Sequence, residues 1–184
     1  IFLLRQKEID WFYQEGCSRL FPDAWEKYLE PIPENERDHM VEAYYKRLTS
    51  EDKNVRKEAA KAWSVWEAST SKLIPDQKLK DRFGEDKFAE AFARIECHYF
   101  RHHGFIEGEN QLIKDTDKIR HIPSIIVQGR YDVVCPAETA WELHRAWPEA
   151  KFIIIPGAGH SLSEPEISEA LIEATDNFSK SGKI

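Results

Sequence analysis

Hydrophobic residues follow two different rhythms along the chain. From about residue 8 to residue 117 they recur every three or four positions, which is the spacing of one face of a helix. This spacing predicts helices over about 8–17, 36–48, 52–70 and 85–102, with a short one beginning at Phe21-Pro22. Residues 81–84 separate two of these segments and are predicted to form a short linker.

Residues from about 119 to 184 alternate between strand and helix. Short runs rich in isoleucine and valine, at about 123–129 and 151–156, predict two strands. Because neither run alternates with polar residues, both are predicted to be parallel strands buried on both faces. Helices are predicted over about 137–147 and 165–179, so this part of the chain contains a strand–helix–strand unit.

A parallel sheet of two strands cannot bury both of its faces or cover its edges. The opening residues, Ile1-Phe2-Leu3-Leu4, could supply the end of a third strand, and no other segment offers one. We therefore expect an α/β fold of which this sequence holds the C-terminal part, with the N-terminal core strands absent. A partner chain that completes the sheet is the alternative.

The composition argues against two classes of function, nucleic-acid binding and insertion into a membrane. The 184 residues carry a net charge of −7, whereas a surface that binds nucleic acid is normally basic. No apolar run approaches the ~20 residues of a membrane span, so we expect no membrane partner. The three cysteines (Cys17, Cys97 and Cys135) are well separated, which favours a reducing compartment and a cytoplasmic location.

Two titratable residues follow the two predicted strands. Asp132 comes after the first strand and His160 after the second. Because the carboxyl ends of parallel strands meet at one edge of a sheet, these side chains are expected to lie close together. An aspartate that orients a histidine makes that histidine a general base. The alternative is that Asp132 caps the helix beginning near Ala137 and that His160 only lies in a loop.

The sequence offers no convincing nucleophile for this pair. The order serine, aspartate, histidine is typical of α/β hydrolases, with the serine in a Gly-x-Ser-x-Gly turn, and the chain contains no such motif. Ser161 follows His160 directly and cannot easily face it. Cys135 lies on the side of the aspartate, where packing is the more common role of a cysteine. We expect the nucleophile in a region N-terminal to this sequence.

Two glutamates lie in strongly apolar helical segments. Glu67 follows Trp63-Ser-Val-Trp66, and Glu96 lies among Phe92, Ile95, Tyr99 and Phe100, so both are predicted to be buried. A buried carboxylate is costly unless it is paired. Either Arg94, Arg101 or Lys61 pairs with these glutamates, or both face a cavity and bind a cationic ligand.

The histidines at the end of the same helix are a weaker candidate. His98 and His102 are four residues apart, a spacing that can hold a metal ion, but the glutamate of a His-Glu-x-x-His motif is missing. A polar helix end explains them better, and no metal site is predicted.

Five runs of residues together resemble the proline iminopeptidase (prolyl aminopeptidase) family, serine exopeptidases of the α/β-hydrolase fold. The resemblance extends from Ile1 to about Phe178. The runs are Gly129-Arg-Tyr-Asp-Val-Val-Cys-Pro136, Trp141-Glu-Leu-His144, Pro156-Gly-Ala-Gly-His-Ser161, Trp63-Ser-Val-Trp-Glu67 and Arg94-Ile-Glu-Cys-His-Tyr-Phe100.

The resemblance implies a role for each candidate residue. Asp132 and His160 correspond to the acid and the base of the catalytic triad. Glu67 and Glu96 correspond to the carboxylates that hold the free amine of a peptide beginning with proline. No cofactor or metal ion is implied.

The resemblance also implies a division of the chain. Residues 1–4 would end a core strand, residues 5–118 would form a helical cap, and residues 119–184 would form the end of the hydrolase core. The oxyanion-hole loop and the nucleophilic serine of the family have no counterpart here, so we expect no turnover by this chain alone. The alternatives are a non-catalytic remnant that binds proline-like cations and another α/β hydrolase, such as an esterase or amidase.

Overall fold

The computed structural model describes residues 1–182, which form two compact units. The helical unit consists of Leu4–Thr70 and Ile74–Ile106. The α/β unit consists of Ile1–Leu3, Ser71–Leu73 and residues 107–182. No helix within residues 1–182 combines the length and the apolar character needed to cross a membrane.

The helical unit contains six α-helices and three short 3₁₀ turns. The turns are Cys17–Arg19, Glu34–His39 and His103–Phe105. The helices are α1 (Gln6–Tyr13), α2 (Pro22–Leu29), α3 (Met40–Leu48), α4 (Lys53–Thr70), α5 (Gln77–Phe83) and α6 (Asp86–Arg101).

Helix α4 is the centre of the helical unit, and it packs against α2, α3, α5 and α6. It buries Ala59 and Ala60 together with the rings of Trp63 and Trp66. Aromatic rings fill the space around it. The ring of Tyr13 stacks on Trp63 with centroids 4.3 Å apart, Tyr28 stacks on Tyr44 at 4.5 Å, and Phe12 lies 5.3 Å from Trp66.

Two predictions for this unit are wrong. The linker predicted over 81–84 belongs mostly to α5, because the Asp76 side chain accepts a hydrogen bond from the Leu79 amide (3.1 Å) and so caps a helix that begins at Gln77. The segment around Glu96 is not buried all round: Ile95 is 61% exposed and Tyr99 49% exposed. Helix α6 instead buries one narrow face, made of Ala89, Ala93 and Cys97.

The α/β unit is built on the predicted strand–helix–strand unit. Its helices and strands are α7 (Gln111–Lys114), β1 (Ile125–Gly129), α8 (Ala137–Ala146), β2 (Lys151–Ile155) and α9 (Pro165–Ser181), and a 3₁₀ turn, Asp115–Lys118, follows α7. Strands β1 and β2 pair in parallel, with Ile125 opposite Lys151 and Gly129 opposite Ile155. The parallel pair with its helices confirms the predicted fold class.

Side chains on the two faces of the sheet pack against different helices. Ile126 and Phe152 join Ala140 of α8, whereas Ile153 and Ile155 join Ile167 of α9. The prediction that both strands are buried on both faces is wrong for β2. Its first residue is exposed, its middle three are half-buried and only Ile155 is buried. Both strands of the described two-stranded sheet lie at an edge, so the outer side of each is not covered by a further strand. Residues 1–4 have no regular secondary structure, and their assignment to a core strand stays a prediction.

Candidate active site

The loops that follow β1 and β2 are held together by backbone hydrogen bonds. The Arg130 amide donates to the Ile155 carbonyl (2.9 Å), and the Tyr131 amide donates to the Ala158 carbonyl (3.0 Å). Gly129 makes this approach possible, since a Cβ atom there would lie 1.9 Å from the carbonyl oxygen of Gly159. The two loops that carry the predicted acid and base are therefore neighbours.

Asp132 is buried and its carboxylate is held from several sides. Its Oδ1 accepts hydrogen bonds from the backbone amides of Val134 (3.1 Å) and Cys135 (2.8 Å). Its Oδ2 accepts one from Nε2 of Gln128, at 3.0 Å. Helix α8 begins after Pro136 without a side-chain cap. Asp132 thus orders the turn in which it lies and does not cap the helix.

His160 lies against Asp132. Its Nδ1 is 3.0 Å from Oδ2 and 3.2 Å from Oδ1 of the aspartate, and about a third of its side chain is exposed. A carboxylate accepts hydrogen bonds only, so the neutral ring carries its proton on Nδ1 and leaves Nε2 as an acceptor. This is the tautomer that a general base needs.

The loop of His160 has further contacts that the sequence did not reveal. The amides of His160 and Ser161 both donate to the carbonyl oxygen of Ser71, at 3.0 and 2.8 Å. Oε1 of the buried Glu164 accepts hydrogen bonds from Gly159 and Leu73. A glutamate directly before a proline at the first position of a helix is expected only to lie at the helix terminus, so its sequence position gave no sign of this contact.

Glu67 is buried in the helical unit and accepts a short hydrogen bond from the hydroxyl of Tyr13. Burial raises the pKa of Glu67 well above its usual range, and the negative charge of Glu96 raises it further, while the bond from Tyr13 acts in the opposite direction. The pKa of Tyr13 is also raised, first by burial and then by the charge of Glu67. Tyr13, Glu67 and Glu96 therefore form one cluster of interacting groups.

Glu96 is the second carboxylate of this cluster. It is half-buried, and its Oε2 accepts a hydrogen bond from Nε1 of Trp63 at 3.0 Å. Of its predicted arginine partners, Arg101 forms an ion pair with Glu42 (2.6 Å) and Arg94 lies 3.7 Å from Glu90. The stacked rings of Tyr13 and Trp63 therefore supply one hydrogen-bond donor to each glutamate.

The weaker candidates also have defined positions. The rings of His98 and His102 lie 4.7 Å apart, but the region comprising residues 1–182 contains no group of three side chains placed to hold a metal ion. Cys135 is half-buried, and its backbone amide serves the carboxylate of Asp132.

The chain is similar in sequence to known proteins. The family model described as TAP-like protein, an α/β-hydrolase model, matches residues 87–184, more than half of the chain. A protein of Leptolyngbya boryana named "Probable proline iminopeptidase" is 62% identical over 178 residues, which are 97% of this chain and 56% of that protein. The proline iminopeptidases of Xanthomonas citri and Arabidopsis thaliana are 56% and 52% identical, with 57% and 47% of their lengths covered.

The resemblance seen in the sequence motifs is thereby confirmed. The chain spans about half the length of the curated relatives it matches. Because the family model covers most of the α/β unit, including both Asp132 and His160, the chain belongs to the TAP-like family of α/β hydrolases.

Proposed function

We propose that this chain supplies the acid, the base and the amine-binding carboxylates of a prolyl aminopeptidase, a serine exopeptidase that releases proline from the N-terminus of peptides. The observation that carries the proposal is the cluster of the buried Glu67 and the half-buried Glu96 in a chain that also holds an Asp132–His160 pair. The names of the relatives, proline iminopeptidases, support the same activity.

The glutamate cluster suits the charge of the substrate. A peptide that begins with proline carries a secondary ammonium group next to the bond to be cleaved. The buried Glu67 with Glu96 beside it lowers the free energy of that cation, and the cation in turn offsets the cost of burying the carboxylates. A peptide with a blocked N-terminus has no such charge and is expected to bind poorly.

The aspartate–histidine pair suits the chemistry of peptide hydrolysis. His160 Nε2 would take the proton of a serine hydroxyl as the serine attacks the carbonyl carbon, and would deliver it to the leaving amine. Asp132 would stabilise the imidazolium ion and keep its orientation. The serine itself is assigned to a region outside this sequence, which contains no Gly-x-Ser-x-Gly motif.

The proposal assigns these roles to parts of the chain. Residues 5–118 act as the cap that recognises the amine, and residues 119–184 act as the end of the catalytic core. The three free cysteines support a cytoplasmic location. The partners are peptides with a free N-terminal proline.

A hybrid protein tests the proposal. In it, the segment of the Leptolyngbya boryana relative that precedes its matched part is joined to Ile1 of this chain. We expect the hybrid to release p-nitroaniline from proline p-nitroanilide and the 184-residue chain to release none. Glu67→Gln and Glu96→Gln should each raise KM at least tenfold for this substrate, with a smaller effect on kcat.

Three results would contradict the proposal. A hybrid that folds and cleaves simple esters without a preference for N-terminal proline is another type of hydrolase. A hybrid that cleaves N-acetylproline p-nitroanilide as well as the free amine does not use an amine anchor. Full activity of either glutamine variant would show that the replaced glutamate does not bind the amine.

Binding without cleavage is the second candidate function. Both glutamates and their donors Tyr13 and Trp63 belong to the helical unit. Titration calorimetry of the 184-residue chain with prolinamide tests it, with N-acetylprolinamide as the control. Absence of heat with prolinamide would refute this second function.

A further inference from the structure

Glu164 is a buried carboxylate that the proposed mechanism does not use. It is 7% exposed and lies directly before helix α9. Its Oε1 accepts two backbone hydrogen bonds, from the amide of Gly159 (2.9 Å) and from the amide of Leu73 (2.7 Å). One side-chain oxygen thus joins the loop of the general base to a segment far away in the sequence.

The segment of residues 71–73, which contains Leu73, also binds the backbone of His160. Ser71, two residues before Leu73, accepts the amides of both His160 and Ser161 through its carbonyl oxygen. Residues 71–73 directly follow Thr70, the last residue of the helix that carries Glu67. The backbone of residues 159–161 is therefore fixed at three successive amides.

Gly159 lets the carboxylate come this close. A Cβ atom at position 159 would lie 2.9 Å from Oε1 of Glu164 and 2.8 Å from the amide nitrogen of Leu73. Both neighbours are held in hydrogen bonds, so neither can move away without breaking a contact. The hydrogen bonds of Glu164 therefore require a residue without a side chain at position 159.

We propose that Glu164 is a positioning residue, which holds the loop of the general base by binding the amides of Gly159 and Leu73. This inference rests on the proposed function for its kinetic consequence but not for its structural one. A general base must stay within about 0.5 Å of its productive position, and a displacement of about 1 Å can lower a rate by 10²-fold. Without Glu164, the buried amide of Gly159 and the partly buried amide of Leu73 lose their acceptor, and the loop shifts to find another.

Three substitutions separate this role from general stabilisation. Glu164→Ala removes the acceptor. Glu164→Gln keeps an acceptor oxygen in the same place and should restore the loop. Glu169→Ala, on the exposed side of the same helix, is the matched control.

The first measurement uses the 184-residue chain and needs no activity. Hydrogen exchange followed by NMR should show the amides of His160 and Ser161 exchanging at least tenfold faster in Glu164→Ala, whereas amides within α4 keep their rates. The low-field Nδ1–H resonance of His160 should weaken or shift. Glu164→Gln and Glu169→Ala should resemble the parent chain. Unchanged exchange and an unchanged resonance in a folded Glu164→Ala variant would overturn the proposal.

The second measurement uses the hybrid protein. Glu164→Ala should lower kcat for proline p-nitroanilide by about 10- to 100-fold and change KM less than threefold, since the amine site is untouched. Glu164→Gln should keep kcat within about threefold of the parent. A kcat in Glu164→Ala within twofold of the parent would overturn the positioning role. If the parent hybrid itself is inactive, the proposed function fails, and the exchange measurement still decides the role of Glu164.

Gly159→Ala keeps the inference testable if Glu164→Ala does not fold. The added methyl group should displace the carboxylate and reproduce the faster exchange of the His160 amide. A folded Gly159→Ala variant with parental exchange rates would count against the proposal as directly as the alanine variant of Glu164.

Discussion

Replacing Asp132 by asparagine is the most informative single change, because the carboxylate accepts every hydrogen bond it makes with its named partners. Oδ1 faces two backbone amides, of Val134 and Cys135, and Oδ2 faces Nε2 of Gln128. His160 Nδ1 lies within 3.2 Å of both oxygens. Asparagine puts a donor group where one of these acceptors stands.

The two orientations of the asparagine have different costs. If the new NH₂ group takes the place of Oδ1, it faces the backbone amides of Val134 and Cys135. Backbone amides are donors only, so neither can accept a hydrogen bond from it. If it takes the place of Oδ2, it meets the Gln128 amide and His160 Nδ1. The second orientation leaves one conflict between donors in a buried site, and we expect it to lower the free energy of unfolding by about 1–3 kcal/mol.

The second orientation also inverts the tautomer of the base. With an NH₂ group facing it, Nδ1 of His160 has to become an acceptor, so the ring proton moves to Nε2. A ring with a proton on Nε2 cannot accept the proton of a nucleophile. We expect kcat to fall by about 10⁴-fold, the scale of a triad whose imidazole holds the wrong tautomer.

Two assays check this chain of reasoning. Nitrogen NMR of the 184-residue chain should show the proton on Nδ1 of His160 in the parent and on Nε2 in Asp132→Asn. Initial rates of the hybrid protein with proline p-nitroanilide should show the loss in kcat. The control is Asp176→Asn, at an exposed position of α9. An asparagine variant that keeps the Nδ1 proton, or more than a tenth of the parental kcat, would refute the argument.

Three further predictions concern the helical unit. Glu67→Gln should raise the free energy of unfolding more at pH 8 than at pH 5. The pKa of Glu67 is raised in the folded state, so its proton stabilises the fold at low pH. That contribution is lost as the pH rises through this pKa, whereas glutamine is neutral at both pH values. Urea unfolding at the two pH values measures the difference, and an equal effect at both would contradict it. Tyr13→Phe removes the hydrogen bond that lowers the pKa of Glu67, so the fall of kcat/KM on the acid side should move to higher pH in the hybrid; a profile that stays in place or moves to lower pH would contradict it. Leu48→Ala, at a position 1% exposed, should lower the free energy of unfolding by about 2–5 kcal/mol in urea, whereas Leu20→Ala, at a position 57% exposed, should change it by less than about 1 kcal/mol.

The contact between Asp132 and His160 could be predicted because residues that follow neighbouring parallel strands lie at the same edge of the sheet. Asp132 follows β1 and His160 follows β2, and the carboxyl ends of both strands lie at one edge. The assignment of the two strands was therefore enough to predict that Asp132 and His160 lie close together, and the structure places His160 Nδ1 3.0 Å from Asp132 Oδ2.

The glutamates were predictable to different degrees, for a reason that lies in helix packing. The segment of Glu67 is apolar on most of its circumference, which predicts a helix surrounded by other helices. Helix α4 is the central helix of its unit, so Glu67 is buried as predicted. The segment of Glu96 looks equally apolar in sequence, but α6 packs through the small residues Ala89 and Ala93 and leaves Ile95 exposed. Counting apolar residues does not reveal which face of a helix makes the contact.

The contacts of Glu164 could not be predicted, because its partners are backbone amides and one of them is distant in the sequence. Glu164 binds the amide of Leu73, 91 residues away, and periodicity reports which side chains share a face but not which amides need an acceptor. Gln128 offered a weak signal as a polar residue in an apolar strand, and its amide indeed meets Asp132. The geometry of a general base depends on the side chains that hold it. The sequence motifs therefore predicted the acid and the base that we propose, whereas the contacts of Glu164 and Gln128 were found only in the structure.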